Sequence, residues 1–194
     1  MLARKYKNFL GAWFFKYRGG IWTLFFVGVF FLAHPGISSF LWGIPFVFLG
    51  QALRFWAAGS ISRYRGESVQ AEQLVTWGPF GWIRNPLYLG NGLIGLGWTL
   101  MARNAFILVL YGLVFLCLYP GIIIPHEERF LQDLFGTAYL RYKEKTPPLF
   151  PRRLFQKEDF RGPFNVEILW KSERHSLYVT VLGTLLFLGK ALNG

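Results

Sequence analysis

The chain has 194 residues, 53% of them hydrophobic and 20% aromatic against only 16% charged, which excludes an average soluble protein and points to several membrane spans. Its formal net charge is +11, but basic residues flanking apolar segments are accounted for by membrane orientation, so no nucleic-acid partner is expected. Cys117 is the single cysteine and lies in the apolar run AFILVLYGLVFLCLYPGIII, which rules out a disulfide framework and a cysteine-ligated metal site and suits an inert thiol.

The basic N-terminus, MLARKYKNFLGAWFFKYRGG, is followed by no small-residue cleavage signature, and it reads as the lead into a retained first span. That span covers residues 21–33, or starts near residue 12 if Lys16 and Arg18 snorkel, and it stops at His34-Pro35-Gly36. A second covers 37–58, with Ser38 and Ser39 as candidate N-caps, Pro45 early inside it, and Gln51 and Arg54 near its far end. A polar loop, SISRYRGESVQAEQ, leads to TWGPFGWIRNPLYLG, which carries two turn signals, Gly78-Pro79 and Asn85-Pro86, and one fixed charge, Arg84. Proline at position 86 disfavours helix at Asn85 and suits a first helical turn, so a third helix is predicted from Pro86 through the apolar run 87–101. It is short against the roughly 20 residues of a full crossing. The turn Ala102-Arg103-Asn104 leads into a fourth segment, 105–124, so segments three and four form a helical hairpin.

After Pro125, apolar Phe130, Leu131, Leu134, Phe135, Tyr139 and Tyr142 alternate with charges at helical spacing, the pattern of an amphipathic helix lying at the interface. A proline-bearing linker then leads to a last apolar run, 177–188, which is either a fifth span or a docked helix. The fold class expected is all-α: a polytopic membrane protein of about five transmembrane helices arranged as hairpins, with one interfacial helix. One membrane domain is expected over 1–194, made of an N-terminal hairpin (1–71), a core (72–151) and a basic linker with the C-terminal helix (152–194).

Basic residues are distributed unevenly. One set of turns holds only Arg103, while the other side takes Arg4, Lys5, Lys7, Lys16 and Arg18, then Arg63, Arg65 and Arg84, then ten more between Pro125 and His175. The asymmetry predicts a cytoplasmic N-terminus, with both polar loops on the cytoplasmic face.

Polar groups clustered at a membrane edge are costly enough to mark function. Gln73, Arg84, Asn85 and Tyr88, with Asn91 one turn deeper, form one cluster; His126, Glu127 and Glu128, followed by Tyr139 and Tyr142, form another. The hairpin predicts that the bases of segments three and four, and so the two clusters, are close in space. The helix N-terminus at Pro86 has unpartnered amides that attract anionic groups. His126 has no second histidine within helical reach, so no metal site is expected. The acidic pair also suits interfacial salt bridges to Arg129 and Arg141, and Tyr139 with Tyr142 suits an aromatic belt. Gly90, Gly92, Gly95 and Gly97 suit close helix packing, with approach of a ligand as the other reading of Gly90.

The combination LVTWGPFGWIRNPLYLG, a hairpin, then PHEERFLQDLFGTAYLRYKEKTPPLFP resembles the isoprenylcysteine carboxyl methyltransferase and phospholipid N-methyltransferase group of integral-membrane enzymes, over residues 72–151. The resemblance implies S-adenosylmethionine as methyl donor, a lipophilic or lipidated acceptor reached from the bilayer, and a cytoplasmic cofactor site. By motif position it places Gln73, Leu74, Val75, Phe80, Asn85, Pro86, Leu87, Tyr88 and Glu127 around the cofactor. Gly90, His126, Tyr139 and Tyr142 are added as cofactor-binding candidates, the tyrosines as a lid. Arg84, His126 and Glu128 are the catalytic candidates, Arg84 for the donor's carboxylate and His126 or Glu128 as base. Two departures stand out: Asn85 occupies the family's usual histidine position, and Ile123 stands where the prenylcysteine enzymes place an arginine for the substrate carboxylate. Two other readings remain: a sterol-reductase-like enzyme binding NADPH through Arg63, Arg65, Arg84 and Arg141, and a membrane scaffold without catalysis.

Overall fold

The computed structural model describes residues 2–61 and 73–193, with side chains from residue 10 onward. Arg63, Arg65, Glu72 and the side chains of Arg4, Lys5 and Lys7, all used above, lie outside the described residues. Every regular element among the described residues is helical. Among the described residues four helices are long and apolar enough to cross a membrane, Leu10–Leu32, Ile37–Ser60, Ala105–Phe135 and Val166–Asn193. The chain is an all-α membrane protein.

Helix α1 (Leu2–Leu32) ends before His34-Pro35-Gly36, and α2 (Ile37–Ser60) begins there with Gly36 as its N-cap. Neither Ser38 nor Ser39 is the cap. Ser39 sits at the third helical position and bonds back, accepting from the Gly36 N–H at 3.0 Å and donating to Met101 O at 3.1 Å, which ties this turn to the next hairpin. After the four-residue α3 (Pro79–Trp82), α4 (Pro86–Met101) starts on the proline and ends at the turn as the sequence predicts. Its 16 residues rise about 24 Å at 1.5 Å each. Asn104 caps α5 (Ala105–Leu118), its side chain accepting from Ile107 N at 3.3 Å.

The fourth span does not stop near Pro125 to give way to a separate interfacial helix. Helix α5 continues through a π turn (Tyr119–Ile123) into α6 (Ile124–Phe135), with the Ile124 N–H reaching back to Tyr119 O. The wider turn accommodates Pro120, whose missing N–H would break an α ladder. Gly136, at φ 54°, then separates α6 from α7 (Thr137–Lys145), so the expected amphipathic helix is two helices. A single 3₁₀ turn (Lys157–Phe160) interrupts the linker before α8 (Val166–Asn193), which is long enough to span rather than merely dock.

The most intimate packing is between α2 and α4. A Cβ on Gly43 would lie 2.4 Å from Gly97 O, and one on Gly50 would lie 2.6 Å from Gly90 O. The backbones touch because glycine lets them, the usual means of tight association in lipid. Gly90 belongs to this seam: its open side faces Gly50 O and the Arg54 side chain, so α2 fills the space kept there for a cofactor. Gly92 and Gly95 open toward Phe115 and Tyr111 of α5. Helix α4 is thereby wedged between α2 and α5, and its first turn is held at one end of the bundle.

Candidate active site

Arg84, just before α4, organises that end. Its Nε and Nη2 donate to Glu128 Oε1 of α6 at 2.8 and 2.7 Å, and Nη1 donates to Lys143 O at 2.9 Å and to Thr146 O at the end of α7. Lys143 Nζ holds the other Glu128 oxygen at 2.9 Å. The pairs with Arg129 and Arg141 are replaced by these; Arg129 Nε instead donates to Pro125 O at 3.0 Å. The next segment is stapled by backbone: Arg84 N–H donates to Pro147 O at 2.9 Å, and the Asn85 amide donates to Pro148 O at 2.8 Å instead of capping α4. The proline pair cannot donate, and its carbonyls serve as acceptors.

Tyr139 and Tyr142 are not an aromatic belt. Both are buried, their rings 6.0 Å apart, and the Tyr142 hydroxyl donates to Phe80 O at 2.7 Å. Burial pushes both phenols above the ordinary tyrosine range, so they remain protonated donors at neutral pH.

One turn into α4, the Tyr88 hydroxyl donates to Glu127 Oε2 at 2.8 Å, and Glu127 is only 1% exposed. The two predicted clusters therefore meet through two separate bonds, Arg84 to Glu128 and Tyr88 to Glu127. Four expected site residues stand apart from them. His126 turns to α1, where Gly11 leaves room for its ring and Phe15 lies 6.3 Å away. Gln73 is exposed and Leu74 and Val75 half-buried on the stretch before α3, while Pro86 and Leu87 form the first turn of α4.

Behind Tyr88 lies a feature the sequence did not reveal. Its ring is 4.8 Å from that of Tyr119, in the π turn, and Tyr119 stacks on Trp22 of α1 at 5.8 Å. Tyr119 and Trp22 line a cavity of about 380 Å³ between α1, α2, α4, α5 and α8, within the range of small-molecule sites. Its interior is apolar, with Phe26, Ile94 and Trp98; one end is polar, with Arg54, Asn91 and His175. Arg54 donates through Nε and Nη2 to the two oxygens of Glu173, both at 2.8 Å, and through Nη1 to Asn91 Oδ1. The Asn91 amide donates to the Tyr119 hydroxyl at 3.0 Å. A continuous polar chain thus runs Glu173, Arg54, Asn91, Tyr119. Charges within helices apolar enough to span are themselves a functional signal, and Arg54 and Glu173 carried it.

Residues 38–138 match the model of the phospholipid methyltransferase family. The chain belongs to this family of membrane methyltransferases. Among its relatives, the cobalt-zinc-cadmium resistance protein CzcN of Cupriavidus metallidurans is 30% identical over 97% of the chain and 83% of its own length. The nickel-cobalt-cadmium resistance protein NccN of Alcaligenes xylosoxydans is 34% identical over 54% of the chain and 46% of its own. Protein-S-isoprenylcysteine O-methyltransferase of Xenopus laevis is 32% identical over 61% of the chain and 44% of its own, so this chain spans under half of that enzyme. No solved structure matches. The family match covers Arg54, Asn91, Tyr119 and the Tyr88 to Glu127 pair; Glu173 and all of α8 lie beyond it.

Proposed function

We propose that this protein transfers a methyl group from S-adenosylmethionine to a lipophilic acceptor, with the donor on the Tyr88 and Glu127 side and the acceptor in the cavity behind Tyr119. The observation that carries this reading is the tilted contact of the Tyr88 and Tyr119 rings, which borders a buried carboxylate on one side and a largely apolar cavity on the other. The residues suit the donor. Glu127 and the tyrosine faces match a sulfonium and an ammonium, and the first turn of α4 matches a carboxylate. When bound, the cofactor supplies an already activated methyl group. The protein's part is to align and to exclude water.

The roles within the site follow from what each side chain touches. Tyr88 fixes the Glu127 carboxylate. Arg84 and Glu128 are positioning residues that lock α4, α6 and α7 into one edge, since the Glu128 oxygens are taken by Arg84 and Lys143. Asn85, Phe80, Tyr139 and Tyr142 brace the loop over that edge. The basic-residue asymmetry supports placing this end and the N-terminus in the cytoplasm, with the acceptor entering from the bilayer.

The test is thermal unfolding of detergent-purified protein with S-adenosylhomocysteine or NADPH. A saturating ligand at 100 times its Kd adds about 2.7 kcal/mol. S-adenosylhomocysteine alone should raise the transition, and Glu127→Gln should abolish that rise while leaving the unliganded transition within a few degrees. A rise with NADPH alone moves the assignment to a reductase, and a rise with neither leaves a scaffold.

A further inference from the structure

We propose that the acceptor presents an uncharged hydroxyl head to the polar end of the cavity, and that Glu173 of α8 sets this preference by occupying Arg54. The inference rests on the methyltransferase reading for the word acceptor, but the binding preference itself does not depend on methyl transfer. The cavity is amphiphilic along its length, with Phe26, Val29 and Trp98 at one end and Arg54, Asn91 and Tyr119 at the other, so an amphiphile enters it head toward Tyr119. That is also the end nearest Tyr88.

Among the described residues two arginines reach the lining, Arg54 in an ion pair and Arg18 turned onto its own helix. Arg54 gives two nitrogens to Glu173 and the third to Asn91, so each of its nitrogens already has a partner. Glu173 is 3% exposed and already compensates the Arg54 charge, so an anionic head would bring a second, uncompensated negative charge beside a buried carboxylate. Arg18 is bound down to α1, with its guanidinium 4.0 Å from the Phe15 ring and Nη1 on Phe15 O. What remains at the head position is neutral hydrogen-bonding capacity, the Asn91 amide backed by the fully buried Tyr119 hydroxyl to which it donates. A hydroxyl both donates and accepts, and it fits this pair without bringing charge into the cavity. Methylation of a hydroxyl exchanges its O–H bond for an O–CH3 bond, the methyl coming from the donor's sulfonium. The donor would leave as the neutral thioether, and His175, which also lines the cavity, would take the released proton.

Farnesol and farnesoic acid share one tail and differ only at the head, so they isolate the claim. Their binding to the full chain in nanodiscs is measured at pH 8 with tritiated ligands, with empty nanodiscs as the blank. Wild type should prefer the alcohol by about tenfold or more. Glu173→Gln, which releases Arg54, should reverse that order. The apolar double variant R54M/E173L removes both charges and should restore preference for the alcohol, which separates charge from misfolding. Equal binding of the two ligands, binding of neither, or an unchanged ratio in Glu173→Gln overturns the proposal. If the preference holds while S-adenosylhomocysteine fails to stabilise the protein, the donor assignment falls and the pocket assignment stands.

Discussion

Arg84 and Arg54 are each bound by a buried glutamate, yet the two pairs are wired differently. Glu128 divides its oxygens between Arg84 and Lys143, and the remaining Arg84 nitrogen goes to backbone carbonyls at the end of α7. Glu173 gives both oxygens to Arg54, whose last nitrogen goes to Asn91. Arg84 and Glu128 are themselves 7% and 9% exposed, but Lys143, which shares the carboxylate, is 42% exposed, and losing any single bond leaves each partner others. The second lies within two helices apolar enough to span, with side chains 14% and 4% exposed, and it has no such reserve. The first works as a joint between helices and loop; the second holds a charge that the bundle must keep compensated.

The largest effect should come from breaking the second pair on one side. Glu173→Ala leaves Arg54 buried without its carboxylate, and the loss of one member of a buried pair costs about 3–5 kcal/mol. The double variant R54M/E173L should recover most of this, because an apolar pair of similar volume replaces it without a stranded charge. Thermal unfolding in detergent checks both; a Glu173→Ala transition within a degree or two of wild type would show that the pair is not buried in the working protein.

Glu128→Ala should cost less, about 2 kcal/mol, since Arg84 keeps its bonds to Lys143 O and Thr146 O. Its larger consequence should be functional, because the edge that aligns α4 with α6 loosens. S-adenosylhomocysteine stabilisation should fall in Glu128→Ala more than the unliganded transition does. Equal losses would reduce Glu128 to a purely structural bond.

The asymmetry between the pairs matches what the sequence made readable. Pro86 as a helix start, Met101 as its end and the turn at Ala102 to Asn104 follow from local chemistry, and they brought Arg84 and Tyr88 beside Glu128 and Glu127. The Arg54 to Glu173 bond spans 119 positions and joins helices with no motif between them, so only the cost of intramembrane charge hinted at it. Pro125 read as the end of the fourth span because proline breaks an α ladder, but it lies at the start of α6, and a π turn absorbs Pro120 within the same continuous helix. Tyr139 and Tyr142 carried the spacing of a surface belt, and which side of α7 packs on α3 is not a local property. For Gly90, packing and ligand approach demand the same missing side chain, and only the position of Gly50 separates them.

A third ion pair tests the comparison at its weak limit. In the linker, Arg153 grips Asp159 through two bonds of 2.6 and 2.5 Å, and the Gln156 N–H adds a third to the carboxylate at 2.9 Å. Around it Trp56 stacks on Phe160 and Trp82 on Phe155, while Trp82 Nε1 donates to Arg153 O at 2.7 Å, so this pair pins the linker onto α2 and α3. The Arg153 hydrogen bonds hold the Asp159 carboxyl below the ordinary aspartate range. A carboxyl depressed in the folded protein contributes stability at every pH above its unfolded value near 4, and that contribution disappears as the pH falls through the lowered folded value. Because Arg153 is 40% exposed, the contribution should be no more than about 1 kcal/mol. Trypsin cleavage at the linker arginines cannot be followed in acid, so tryptophan emission is the suitable probe. Between pH 5 and pH 2 the emission of wild type should shift to the red as Trp56 and Trp82 lose their ring partners. Asp159→Asn should show part of that shift already at pH 7 and little further change in acid. An identical acid titration in both proteins would locate the transition elsewhere and leave the linker pinned by its aromatic stacks alone.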